Sequence, residues 1–148
     1  MKIEIDQSGK IENTNKDTVI AFSDDNFGSL LIKAKDKREI QEIFRQAGKP
    51  RVFIYKLFTI LIFLLIKNHL KKVEEIVIDE EYPGKSALIK DLLLREIRKI
   101  RPRFLKENIS FRQIGKKSKA HNIAYNTFKK KRKTDIVVNK KILKFLIK

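Results

Sequence analysis

The first third of the chain alternates. In "KIEID", residues 2–6, Ile3 and Ile5 fall on one side and charged residues on the other, the period-two pattern of a half-buried strand. "DTVIAFS", 17–23, and "LLIKAK", 30–35, are rich in β-branched and aliphatic residues. The links "QSGK" and "DDNFGS" carry turn residues. Three strands with short links predict an antiparallel meander. Then the period lengthens. Over 36–48, Ile40, Ile43 and Phe44 recur at helical spacing before Gly48, a suitable C-cap. Pro50 suits the first turn of a second helix, which the pattern carries to about Leu70. "VEEIVID", 73–79, reads as a strand and "YPG" as a turn. Residues 85–100 place Leu88, Ile89, Leu92, Leu93, Ile97 and Ile100 on one stripe, and Pro102 ends that helix. Residues 108–115 alternate as a strand, and 117–133 turn Ala120, Ile123, Ala124 and Phe128 inward on a helix. "DIVV", 135–138, reads as a short strand, whereas "KKILKFLIK" fits helix and strand equally. The order β-β-β-α-β-α-β-α, with the helices over 36–48 and 50–70 taken as one helical segment and followed by a tail, predicts an α/β domain over 1–148: a mixed sheet with helices on both faces.

The longest apolar run, 52–66, is broken by Lys56. A membrane span wants about 20 apolar residues, so the run reads as a helix buried on most sides. "MKIEIDQSGK" lacks the apolar stretch of a signal peptide, which points to a cytoplasmic protein. With no cysteine, disulfides and thiolate metal sites are excluded, and two histidines are too few for a His-rich zinc site.

Charge sharpens this picture. The chain has 35 Lys and Arg against 18 Asp and Glu, but the excess is uneven. Residues 1–48 carry a net −1, residues 49–100 a net +4, and residues 101–148 a net +14. A basic third of this strength attracts phosphate backbones through counterion release, and acidic membrane surfaces after them. Within it, "GKKSKAH" sets Lys116, Lys117 and Lys119 at a helix start, where amides and ammoniums together suit a phosphate. "KKKRK" places Lys129, Lys130, Lys131, Arg132 and Lys133 at the end of the same helix. The nearby aromatics Phe111, Tyr125 and Phe128 sit at spacings equally suited to core packing and to stacking on bases.

Against this background two acidic strand ends stand out. "IEID" ends the first strand on Asp6, and "IVID" ends the fourth on Asp79, followed by Glu80 and Glu81. Taken alone, "DEEY" also reads as a solvated acidic turn.

The element order together with these two Ile-x-Ile-Asp strand ends resembles the ribonuclease H-like superfamily of ribonucleases H, Holliday-junction resolvases, transposases and Piwi-type nucleases, over about residues 1–133. The resemblance implies a mixed five-stranded sheet with a β1–β3 meander. It also implies a first and a fourth strand that are central, parallel neighbours, each with a metal-binding acid. Asp6, Asp79 and Glu80 would then hold Mg²⁺ or Mn²⁺, which favour hard oxygen ligands. His121 falls where many members place a further ligand on the last helix. The helix over 50–70, however, contains no acid where ribonucleases H carry a Glu; Glu39, Glu42 or Glu80 are the available substitutes.

The resemblance therefore implies a metal-dependent nuclease acting on DNA or RNA, with Asp6, Asp79, Glu80 and His121 as catalytic and metal residues and the two lysine clusters holding the backbone. The alternative is a nucleic-acid-binding protein on the same fold with a degraded metal site. A third class is a protein-interaction or membrane-surface module using "FTILIFLLI". The apolar tail "ILKFLIK" offers contacts for a homodimer.

Overall fold

A computed structural model of the chain describes residues 1–24 and 27–146. Strands β1 (Lys2–Ser8), β2 (Thr18–Ser23) and β3 (Phe27–Ile32) form the expected antiparallel meander. Helices α1 (Ala34–Gln46) and α2 (Phe53–Ile66) follow, then β4 (Glu75–Asp79), α3 (Ser86–Ile97), β5 (Ile109–Arg112) and α4 (Lys119–Phe128). The chain continues into β6 (Ile136–Val138) and α5 (Lys140–Leu146). The sheet order is β5-β4-β1-β2-β3-β6, and β1 lies parallel to β4, as does β4 to β5 and β3 to β6.

Four expectations change. The sheet has six strands among the described residues, because "IVV" at 136–138 pairs with β3 as a new edge. The ambiguous tail is helical as far as residue 146, and residues 147–148 lie outside the described residues, as do 25 and 26 of the "DDNFGS" turn. The third strand runs over 27–32 rather than 30–35, because Gly28 is in register with Phe22 and leaves room for its ring. A β-carbon at position 28 would sit 2.6 Å from that ring. The helices at 50–70 and 117–133 are also shorter than their apolar patterns suggest, bounded respectively by 3₁₀ turns at 50–52 and 67–69 and by a reversal after Phe128.

Alternation along the strands divides the sheet's two faces. Ile3, Ile5, Ile20, Phe22, Leu30, Ile76 and Ile78 point into the main core with α1, α2 and α3. Val19 and Ala21 point the other way, onto Ile123 and Ala124 of α4. Helix α2 is apolar on almost every side and buried from Leu57 to Ile66, between the sheet and α3. This explains why its run has no polar stripe. Among the described residues no helix is long and apolar enough to cross a membrane.

One polar group is used structurally. The Lys37 side chain is fully buried, and its ammonium donates to the carbonyls of Lys10 and Asn13 and to Thr18 Oγ1 at 3.3, 2.8 and 3.0 Å. Burial pulls its pKa down to about 8, which still leaves it charged at neutral pH, with all three protons used to pin the loop between β1 and β2.

Leu61 is fully buried at the centre of α2. Its truncation, Leu61→Ala, should cost about 2–5 kcal/mol, read as a lower urea midpoint with an unchanged slope.

Candidate metal centre and its basic surround

The parallel ladder between β1 and β4 pairs Ile3 with Ile76 and Ile5 with Ile78. One residue further it brings Asp6 next to Asp79. Both point to the α4 side, since the isoleucines before them point to the main core. There Asp6 is 4% exposed. Its Oδ1 accepts the Gln7 N–H at 2.8 Å, and its Oδ2 lies 2.8 Å from His121 Nδ1. Asp79 Oδ1 accepts the Ile114 N–H at 2.9 Å, which ties the loop after β5 to the end of β4.

The third converging carboxylate is Glu81. One oxygen from each of Asp6, Asp79 and Glu81 lies within 4.8 Å of the other two, so the three can hold a metal ion. Glu81 is held there by its neighbour. Tyr82 is buried with its ring edge-on to Tyr55 and Phe58 of α2, and its hydroxyl meets Gln7 and Glu12. Glu80 is exposed, and its N–H donates to the Arg112 carbonyl. It lines a ≈ 300 Å³ pocket beside the cluster, along with Asp6, Asp79, Gln113, Gly115, Lys116 and His121. Strand parity carries no signal for Glu81, because β4 ends at Asp79 and the Glu81 N–H turns back onto the Asp79 carbonyl. Glu39 and Glu42 point elsewhere, to Lys140 and Arg45 respectively. His69 packs its ring 5.1 Å from that of Phe22.

Crowded acids resist losing their protons. Burial, a hydrogen bond shared with Asp79, and the charges of Asp79 and Asp6 push the Glu81 carboxyl up to about 8. Burial also raises Asp6, while the Gln7 amide and His121 oppose the rise. The donor set thus suits a hard divalent cation, whose charge would replace the held proton.

The lysines distribute around α4. Lys116 stands on the rim of the acid pocket. Lys117 and Lys119 line a neighbouring cleft with Lys2, Glu4 and Arg112. At the far end of α4, Lys130, Lys131, Arg132 and Lys133 border a third cleft, and Lys129 lies over the rings of Tyr125 and Phe128. Arg132 stacks on Phe27 at 4.4 Å. The chain reverses here as it does after α1. At the end of α1, Gly48 has φ +73, and the Gly48 and Lys49 amides cap the Arg45 and Phe44 carbonyls. After α4, Lys130 occupies the corresponding left-handed position with φ 62, and the Lys130 and Lys131 amides cap Thr127 and Asn126. A lysine stands where glycine is the unstrained choice.

Two stability measurements follow from this geometry. Glu81 binds a proton more tightly folded than unfolded, so the metal-free protein should lose stability as pH rises from about 4.5 to about 8. Glu81→Gln should remove that loss. In chelator its Tm should exceed that of the unaltered chain at pH 8 by about 4 °C, as expected from about 1–2 kcal/mol, and match it at pH 4. Lys130→Gly should raise stability by about 1 kcal/mol in a urea titration, through relief of the left-handed backbone. Comparison of the chain with protein-family models, with curated proteins and with solved structures gives no match.

Proposed function

We propose that this protein is a metal-dependent nuclease that hydrolyses phosphodiester bonds of DNA or RNA on a ribonuclease H-like domain. The observation that carries this reading is the convergence of three carboxylates, Asp6, Asp79 and Glu81, in a chain whose net charge is +17. Three carboxylates crowded together repel one another, and a cation bound among them, beside lysines that hold a phosphate, would offset that repulsion. The topology agrees with the resemblance, since β1 and β4 are parallel neighbours inside the sheet, with Asp6 within β1 and Asp79 at the end of β4.

Asp6, Asp79 and Glu81 would hold Mg²⁺ or Mn²⁺, with Glu80 at the rim. Such an ion, when bound, supplies Lewis-acid stabilisation of charge on the phosphoryl oxygens. The chain's own groups do the rest. Lys116 faces the pocket and attracts the substrate phosphate. The Nδ1 nitrogen of His121 is committed to Asp6, which leaves Nε2 to orient a water or take its proton. Lys117, Lys119 and the 129–133 cluster extend the cationic surface along α4 and hold the flanking backbone.

Labelled DNA and RNA oligonucleotides incubated with the protein and Mg²⁺ or Mn²⁺ test this reading. Asp6→Asn and Asp79→Asn should each lower the cleavage rate by more than about 100-fold, since even outer-shell changes at metal sites cost about 10–100-fold. Both variants should keep salt-dependent binding. Binding by the unaltered protein without metal-dependent cleavage would instead establish the non-catalytic nucleic-acid-binding alternative.

A further inference from the structure

The outward face of α4 carries an aromatic residue that the fold does not use. Ala120, Ile123, Ala124 and Thr127 bury the inner face of this helix, while Tyr125 is 45% exposed on the outer one. The other two tyrosines pack against each other on the opposite side of the sheet, at the α2 face. Tyr125 does not stand alone. One turn before it, the His121 ring lies nearly parallel to the Tyr125 ring, at an interplanar angle of 15° and a centroid distance of 6.3 Å. His121 in turn touches Asp6 at 2.8 Å. One turn after it, the Lys129 ammonium lies 5.8 Å from the Tyr125 ring centre. Positions 121, 125 and 129 follow one another at four-residue spacing and share a face, with a rise of about 6 Å per step. Acid cluster, imidazole, phenol ring and ammonium thus form a single row leading out of the pocket.

We propose that Tyr125 is a stacking platform for an unpaired nucleobase next to the phosphate held at the acid cluster, and that the site accepts a single-stranded segment rather than a closed duplex. The inference rests on the nuclease reading and specifies its substrate. A ring face open to solvent, parallel to its neighbour and flanked by a cation fits the flat π-surface of a base and the phosphate attached to it. Any base satisfies it, so the platform selects strandedness and not sequence. In a closed duplex the bases are stacked on each other and their faces are hidden from such a ring.

The test measures binding to the full chain in chelator, where no strand is cut. The probes are a thymidine oligomer, a uridine oligomer, a sugar-phosphate oligomer of equal length without bases, and a blunt duplex. Tyr125→Ala should weaken both base-bearing single strands by about 5- to 150-fold, the range expected for one stacked base. It should leave the base-free oligomer and the duplex unchanged. Tyr125→Phe keeps the ring and should bind as the unaltered chain does. The losses on the thymidine and uridine oligomers should be similar, since every base offers a π-face. An equal loss on base-free and base-bearing strands, or no loss on either, overturns the platform while leaving the nuclease reading in place. Failure of the unaltered chain to bind any of the four probes in chelator, together with failure to cut any of them with Mn²⁺, overturns both.

Discussion

The parallel ladder between β1 and β4 sets Ile3 beside Ile76 and Ile5 beside Ile78, and its next step sets two aspartates side by side. The chemistry and the packing of this protein are two faces of that one pairing. On one face the isoleucines join α1, α2 and α3 in a core dense enough to hold the register. On the other face the same register forces carboxylates together, and Glu81 joins them because Tyr82 is wedged against α2. The repulsion among the acids is offset by apolar burial a few ångströms away. A register slip of one residue would exchange the faces and put the aspartates into the core.

Much of this was legible in the residues themselves. The two Ile-x-Ile-Asp stretches identify two inner strands and both aspartates because alternation and β-branching are local properties. The helices over 34–46 and 86–97 follow from period and stop signals in the same way. What was not legible depends on tertiary contacts. The choice between Glu80 and Glu81 turns on where Tyr82 finds its partners, which are Gln7, Glu12, Tyr55 and Phe58 in three other parts of the chain. The early end of α4 turns on a reversal at Lys130, where no glycine or proline announces it. The strand at 136–138 reads from its own residues, but its place beside β3, as a sixth strand of the sheet, depends on the open ladder that β3 offers. The burial of Lys37 likewise has no local signal, since only the folded loop presents its three acceptors.

Helix α4 joins the acidic and the basic parts of the molecule. Its inner face rests on a small cluster, Val19, Ala21, Ile123 and Ala124, much thinner than the core on the other side of the sheet. Its position is therefore set largely by polar contacts at its beginning. Ser118 caps the helix and also reaches Glu4, and His121 reaches Asp6. His121, which helps to orient the helix, also lines the acid pocket, so the basic surface and the acid cluster are held in one geometric relation.

The pairing of β1 with β4 also spans the chain residues 9–74, which include the meander, α1 and all of α2. Joining strands this far apart in sequence requires closing a long loop, an entropic cost that local helices and hairpins do not bear. An unfolded chain has basic segments but no cation site, because the three acids meet only once this long-range register is formed. An ion held by them would therefore favour the folded molecule alone, and its stabilising effect would grow with the cation concentration.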